Sequence, residues 1–274
     1  MAERISYEER HALAREVFGR FVPGVDPDRV FASMERRFGA LGTFGFDAVG
    51  QLWSRPQLSR RERSLLVISV LAGQARDEEL ELHTQVGLHH GLSRVEIEEI
   101  LLHVAAYVGF PAAMAAFRRM DGGFRKAEGV ERIEGRAPAE RLSDAERDAR
   151  AADVRRTLTA GRAAADPVAD LANMERVLGD VGVLAFRWAF GEIWSRPQLS
   201  RRDRSLVVIA LLAALGQEGE LAFHVPAGLN HGLTRVEVEE IMVHLCLYAG
   251  IPKAVDGLRA ARTAFAKIDA RAKS

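Results

Sequence analysis

Glu79 and His83 stand four residues apart, and His90 follows seven further on, a spacing that brings all three near one face of a helix. Glu220, His224 and His231 repeat the set. Their neighbours are apolar: Leu80, Leu82, Val86 and Leu88 in one case, Leu221, Phe223, Ala227 and Leu229 in the other. A carboxylate beside an imidazole can fix its tautomer, raise its pKa and make it a general acid near neutral pH. Glu79, His83, Glu220 and His224 are therefore the candidate catalytic residues. The plainer reading is a surface Glu–His pair at helical spacing, worth about 0.2–0.5 kcal/mol. A second pattern, Glu99, His103 and Tyr107, recurs as Glu240, His244 and Tyr248. These residues, with His90 and His231, are candidates for substrate contact, although core histidines bonded to a carboxylate would give the same spacing. Arg63, Arg94, Arg204 and Arg235 read as helix-start charges that could also hold an anion bidentately.

Both patterns occur twice because the chain is duplicated. The stretch from Trp53 (WSRPQLSRRERSLLVIS) returns from Trp194 (WSRPQLSRRDRSLVVIA), 141 positions later and without a gap. Ile5-Ser6…Glu9-Arg10 matches Leu142-Ser143…Glu146-Arg147 at a slightly shorter offset, so the duplication extends over whole halves. While Glu81 became Ala222 and His89 became Asn230, the Glu–His pairs were kept.

The elements that must position these residues are helical. Apolar residues recur at helical spacing and strand signals are nearly absent. Ser59-x-x-Glu62, Ser200-x-x-Asp203, Ser93-x-x-Glu96 and Thr234-x-x-Glu237 have the form of helix starts with a hydroxyl cap and an acid three residues on. The pattern predicts a first helix over about Tyr7–Phe21, a second through the Met34–Phe46 region, and a helix from Arg61 to about Gln74 that is apolar all round and so central to a bundle. A polar-faced helix (79–90), an amphipathic one (Arg94–Val108) and a last one after Gly109-Phe110-Pro111 complete the half. Pro226, two residues after His224 inside its helix, is expected to kink it. The expected organisation is all-α with two tandem helical domains, 1–125 and 142–274, joined by a Gly-, Glu- and Arg-rich linker over 126–141.

Composition narrows the function. Lys+Arg and Asp+Glu are 38 each, and aromatics are 7% of residues, which does not favour nucleic acid as a partner. The single Cys246 excludes a dithiol mechanism within one chain. The longest apolar run is far too short to span a bilayer, and the charged opening MAERISYEER has no signal-peptide core, so a cytoplasmic protein without membrane contact is expected. Neither a zincin-type His pair nor a glycine-rich phosphate loop is present, and neither metal nor cofactor is expected.

At RSLLVIS, EELELH, GLHHGLSRVEIEEILLH and AYVGFP, and again at RSLVVIA, GELAFH, GLNHGLTRVEVEEIMVH and LYAGIP, the chain resembles the carboxymuconolactone decarboxylase family. The resemblance covers about half the chain and implies an all-helical fold. It also implies a homo-oligomer, with a trimer favoured for a fused pair. The related hydroperoxidases use C-x-x-C-x-x-x-H; here Arg76 and Glu79, and Gln217 and Glu220, stand where those thiols would be, so thiol peroxidase chemistry is excluded. The decarboxylase branch implies cofactor-free loss of CO₂ from a small anionic lactone or keto acid. In that reading His83 and His224 donate the proton, Glu79 and Glu220 orient them, and the remaining histidines supply oxyanion donors or substrate contacts. A lactone hydrolase or isomerase, or a non-catalytic helical ligand-binding or assembly protein, are the alternatives.

Overall fold

Ser59, Ser93 and Thr234 each begin a helix with the reciprocal capping box that their spacing predicts, hydroxyl to the N3 amide and Glu carboxylate back to the cap amide. Ser200 caps the Asp203 amide, but the shorter Asp203 side chain turns instead to Arg61 of the other repeat. The computed structural model describes residues 5–21, 24–134, 136 and 139–273, and every regular element among them is helical. None of these helices is long and apolar enough to cross a membrane.

The first repeat runs α1 (Tyr7–Phe21), α2 (Pro27–Phe38), α3 (Ala40–Trp53), α4 (Arg60–Gly73), α5 (Asp77–His89), α6 (Arg94–Tyr107) and α7 (Phe110–Glu128). The second runs α8 (Asp144–Leu158), α9 (Pro167–Leu178), α10 (Asp180–Leu184) continuing into a π-helix (Ala185–Trp194), then α11 (Arg201–Leu215), α12 (Glu218–Asn230), α13 (Arg235–Tyr248) and α14 (Ile251–Ala272). The single helix expected through Met34 and Phe46 is in fact two. Gly39 takes φ +57 and donates its amide to the Glu35 carbonyl, ending α2; Gly179 does the same at φ +60. Pro226 does not break α12, which runs unbroken from Glu218 to Asn230.

Between the Gly179 break and Trp194 lie five α-helical and ten π-helical residues, against fourteen in α3. One residue has been added, and the wider π turns absorb it. The ends stay in register: Gly50 and Gly191 both lie where a Cβ would strike the first helix of the repeat, α1 or α8, 2.4 Å from Ala14 Cα and 2.6 Å from the Arg147 carbonyl oxygen. Trp53 and Trp194 follow three residues later, each buried.

α4 is buried from Arg63 to Ala72 and α11 from Asp203 to Ala214, and these two central helices pack on each other. One apolar core therefore runs through both repeats. Each buried Leu, Ile or Val there contributes about 1.5–3 kcal/mol. At the helix starts a reciprocal ion network ties the repeats: Arg61 bonds Asp203 and Glu96, while Arg202 bonds Glu62 and Glu237.

Candidate active sites between the repeats

The apolar all-round helix α4 carries a fully buried arginine, Arg63, and a charge in that position must be paired. Its Nη2 donates to Glu240 Oε1 at 2.8 Å and to the Arg55 carbonyl at 2.7 Å; its Nη1 meets His244 Nδ1 at 3.0 Å. Glu240 also accepts from Arg55 Nε and Nη2 at 2.9 and 2.7 Å. Glu240 and His244 lie on α13, in the other repeat. One turn on, Tyr248 accepts the indole N–H of Trp53 at 2.9 Å.

His83 of α5 completes this cluster. Its ring lies nearly parallel to Trp53 (centroids 6.1 Å, 15°) and edge-on to Tyr248 (5.4 Å). His244 stands edge-on to Trp53 at 5.1 Å, and His90 tilts against it at 5.4 Å while its Nδ1 meets Ser64 Oγ at 2.8 Å.

The second cluster repeats the first with the halves exchanged. Arg204 Nη1 meets His103 Nε2 at 3.0 Å and its Nη2 donates to Glu99 at 2.8 Å, which also accepts from Arg196 at 2.8 Å. Trp194 Nε1 donates to Tyr107 Oη at 3.0 Å, and Trp194 lies nearly parallel to His224 (6.0 Å, 16°). His231 Nδ1 meets Ser205 Oγ at 2.8 Å. In addition, Tyr107 Oη lies 3.2 Å from His224 Nε2.

Spacing within one helix sets His83 with His90, and His103 with Tyr107, without saying which repeat's pairs meet; the structure joins His83 to His244 and Tyr248, and His224 to His103 and Tyr107. Each cluster is divided between repeats.

The proposed carboxylate partner is also displaced. Glu79 and Glu220 are exposed on the first turns of α5 and α12 and make no hydrogen bond to His83 or His224. His83 Nδ1 and His224 Nδ1 are buried with no partner. The expected rise in imidazole pKa is reversed: burial, then the charge of His90, lowers His83 to about 3, and burial, then His231, lowers His224 to about 3. His90 and His231 fall to about 4, burial again being the first cause.

A guanidinium can only donate, so His244 Nδ1 and His103 Nε2 are acceptors and carry no proton. Both rings lie well below their ordinary pKa, through burial first and the adjacent arginine second. Each is thus a neutral imidazole in a fixed tautomer. The opposite nitrogen (His244 Nε2, His103 Nδ1) holds the proton, buried and unpartnered. A buried donor left unmade costs about 1–3 kcal/mol, so each cluster keeps an unspent donor beside a neutral imidazole.

Of the four arginines, Arg63 and Arg204 enter the clusters. Arg235 is tied to Asp269, and Arg94 makes no hydrogen bond to any of these histidines. His103 is nine residues along α6 from Arg94, about 13 Å of helix rise. Trp53, Arg55, Trp194 and Arg196 were not expected; the tetrapeptide Trp-Ser-Arg-Pro, unchanged at 53–56 and 194–197, was the signal that could have found them.

Two tandem all-helical repeats, each opening on capped helices and each lending histidines to the other, define the class of protein. The sequence model of the carboxymuconolactone decarboxylase family matches residues 41–121 and 180–263, and the chain belongs to that family. It is 48% identical over 79 residues to 4-carboxymuconolactone decarboxylase of Acinetobacter baylyi, covering 29% of this chain and 59% of that protein. It is 35% identical over 77 residues to nitrosuccinic acid decarboxylase of Metarhizium robertsii, covering 27% and 52%. The chain thus spans little more than half the length of these curated relatives.

Proposed function

We propose that the protein is a cofactor-independent decarboxylase of a small carboxylated lactone of the 4-carboxymuconolactone kind, working at the two inter-repeat clusters. The observation that carries this reading is the pair of matching, water-excluded clusters in which neutral imidazoles keep unpartnered nitrogens beside an already neutralised arginine. The names of the two relatives support loss of CO₂ as the reaction class.

The chemistry balances with protein groups alone. The substrate carboxylate leaves as CO₂, and the electrons of the broken C–C bond move into the conjugated lactone carbonyl, leaving a dienolate. The unspent N–H of His244 (His103 in the second cluster) lies where it could bond the developing oxyanion, in a dry site where such a bond is strongest. The dienolate carbon then takes a proton from His83 or His224.

With a pKa of about 3 in the empty site, only about one imidazole in ten thousand is protonated at pH 7. An anionic substrate a few ångströms away favours the imidazolium and raises that pKa, so the acid is armed by its own substrate. Tyr248 and Tyr107 stay protonated, their pKa raised chiefly by burial. Each accepts an indole N–H, which leaves its own O–H proton for the neighbouring imidazole or the substrate.

The test is incubation of the protein with 4-carboxymuconolactone, following CO₂ and the enol-lactone by NMR, with nitrosuccinic acid run in parallel. Wild type should turn the lactone over, His83→Ala and His224→Ala should each keep part of the rate, and the double variant should be inactive. A folded wild-type protein that leaves the lactone untouched would remove the substrate assignment; turnover by the double variant would remove the histidines.

A further inference from the structure

A cavity of about 640 Å³ that no histidine lines lies on the neighbouring stripe of α6, between α6, α7 and the π-helix. Its apolar wall includes Leu102, Ala105, Phe110, Met114, Phe117 and Ile193. Phe110 is 68% exposed, an unusual state for a phenylalanine at a helix start unless something covers it.

The wall holds four arginines and four glutamates, but they are not paired one to one. Glu98 accepts from Arg136, which also bonds Asp121 and lies over the Phe117 ring at 4.7 Å. Glu99 is held by Arg196 and Arg204, Glu140 by Arg150, and Glu192 by Arg147. Every carboxylate in the wall is engaged. Arg94, half-buried at the first turn of α6, has no hydrogen bond or ion pair among the described residues. Its repeat-mate Arg235 is neutralised by Asp269 on α14. Drift between the copies has therefore left one uncompensated guanidinium, and it lines a cavity with one apolar wall and of a size that suits small organic ligands.

We propose that this cavity, which adjoins the second imidazole cluster through Glu99 and Arg196 but is lined by none of the histidines, is a second ligand site that takes a small amphipathic carboxylate. The carboxylate sits on Arg94 in the bidentate fork geometry that a guanidinium offers, and the apolar end lies against Phe110, Met114 and Phe117. The guanidinium of Arg94, without a carboxylate partner among the described residues, favours an anion over a neutral ligand of the same shape. Burial of one exposed phenylalanine and its neighbours favours a chain or ring over a simple inorganic anion. One site per chain is expected, because Arg235 is already occupied. The assignment stands independently of the decarboxylase reading.

The experiment is titration calorimetry of the full chain with octanoate as the probe, against 1-octanol and acetate. Octanoate should bind at one equivalent per chain, with 1-octanol and acetate at least about tenfold weaker, the order of one charge-assisted pair or of the buried chain. Arg94→Gln should weaken octanoate at least about tenfold with its circular dichroism unchanged, and Ala105→Trp should block it. The His103→Ala/His224→Ala variant should bind as wild type does. Unchanged binding in Arg94→Gln would reduce the effect to apolar adsorption and overturn the proposal. Loss of binding in the histidine variant would move the ligand to the imidazole cluster and overturn it equally. Absence of saturable binding would also overturn it; if Phe110→Glu then dissociated an oligomer in sedimentation, the cavity would belong to a second copy of the chain.

Discussion

Glu240→Gln isolates the contribution of the buried charge that joins the repeats. Glu240 is 2% exposed and Arg63 is 0% exposed, and the pair is reinforced by three bonds from Arg55. The amide keeps the shape and one acceptor, but its nitrogen can only donate, and so faces the Arg55 or Arg63 donors across the pair. Removing one partner of a buried ion pair costs about 3–5 kcal/mol, mainly by stranding the other charge. The lower end applies here, because Arg55 is 39% exposed and can turn to water, and Arg63 keeps the Arg55 carbonyl and the His244 ring. A loss of about 3 kcal/mol corresponds to a urea midpoint lower by roughly 1 M for a chain of this size. The assay is urea unfolding of wild type, Glu240→Gln, Arg63→Met and Arg63→Met/Glu240→Leu. The last should recover most of the loss, since it buries no charge. A single-variant loss below about 0.5 kcal/mol, or a double variant at the sum of the singles, would refute a buried inter-repeat ion pair.

Three further outcomes are expected. Deleting Trp188, which is 57% exposed, brings the π-helix to the residue count of α3 and keeps Phe190 and Gly191 in place; helicity and melting temperature should change little, and collapse of the fold would contradict a one-residue insertion. Glu79→Gln should shift stability by no more than about 0.5 kcal/mol and leave the NMR titration of His83 unchanged, whereas a moved titration would restore the Glu79–His83 bond that the structure lacks. The folded pKa of His83 and His224 is about 3 against 6.5 unfolded, so the unfolded state binds more protons below pH 6.5 and their stabilisation is full above that value and lost as pH falls toward 3. At pH 5 each should cost about 2 kcal/mol, so wild type should lose stability from pH 7 to 5 much faster than His83→Gln/His224→Gln; equal slopes would mean that the two imidazoles are not buried neutral.

Local signals in the chain were enough for most of the helices. α1 has the bounds read from its pattern, and the hydroxyl–acid pairs at 59, 93 and 234 are capping boxes because that chemistry is settled within four residues. Gly39 was hidden inside a run whose apolar spacing continues across it, so two helices read as one. The histidine pairing was out of reach for a different reason. Spacing on one helix fixes which residues share a face, not which helix that face meets, and duplication makes either repeat an equally good partner. The charge state of His83 has the same origin: its pKa is set by Trp53, Tyr248 and His90 packing around it and not by the glutamate one turn away.

The central claim is that each cluster draws its residues from both repeats, and paired knock-outs in the decarboxylation assay test it most directly. Within one cluster as the structure draws it, His83→Ala/His244→Ala and His224→Ala/His103→Ala should each abolish a single site and leave the other working. Across clusters, His83→Ala/His103→Ala and His224→Ala/His244→Ala should abolish both. Activity surviving in the second pair of variants and vanishing in the first would mean that each site is complete within its own repeat, and would contradict the account.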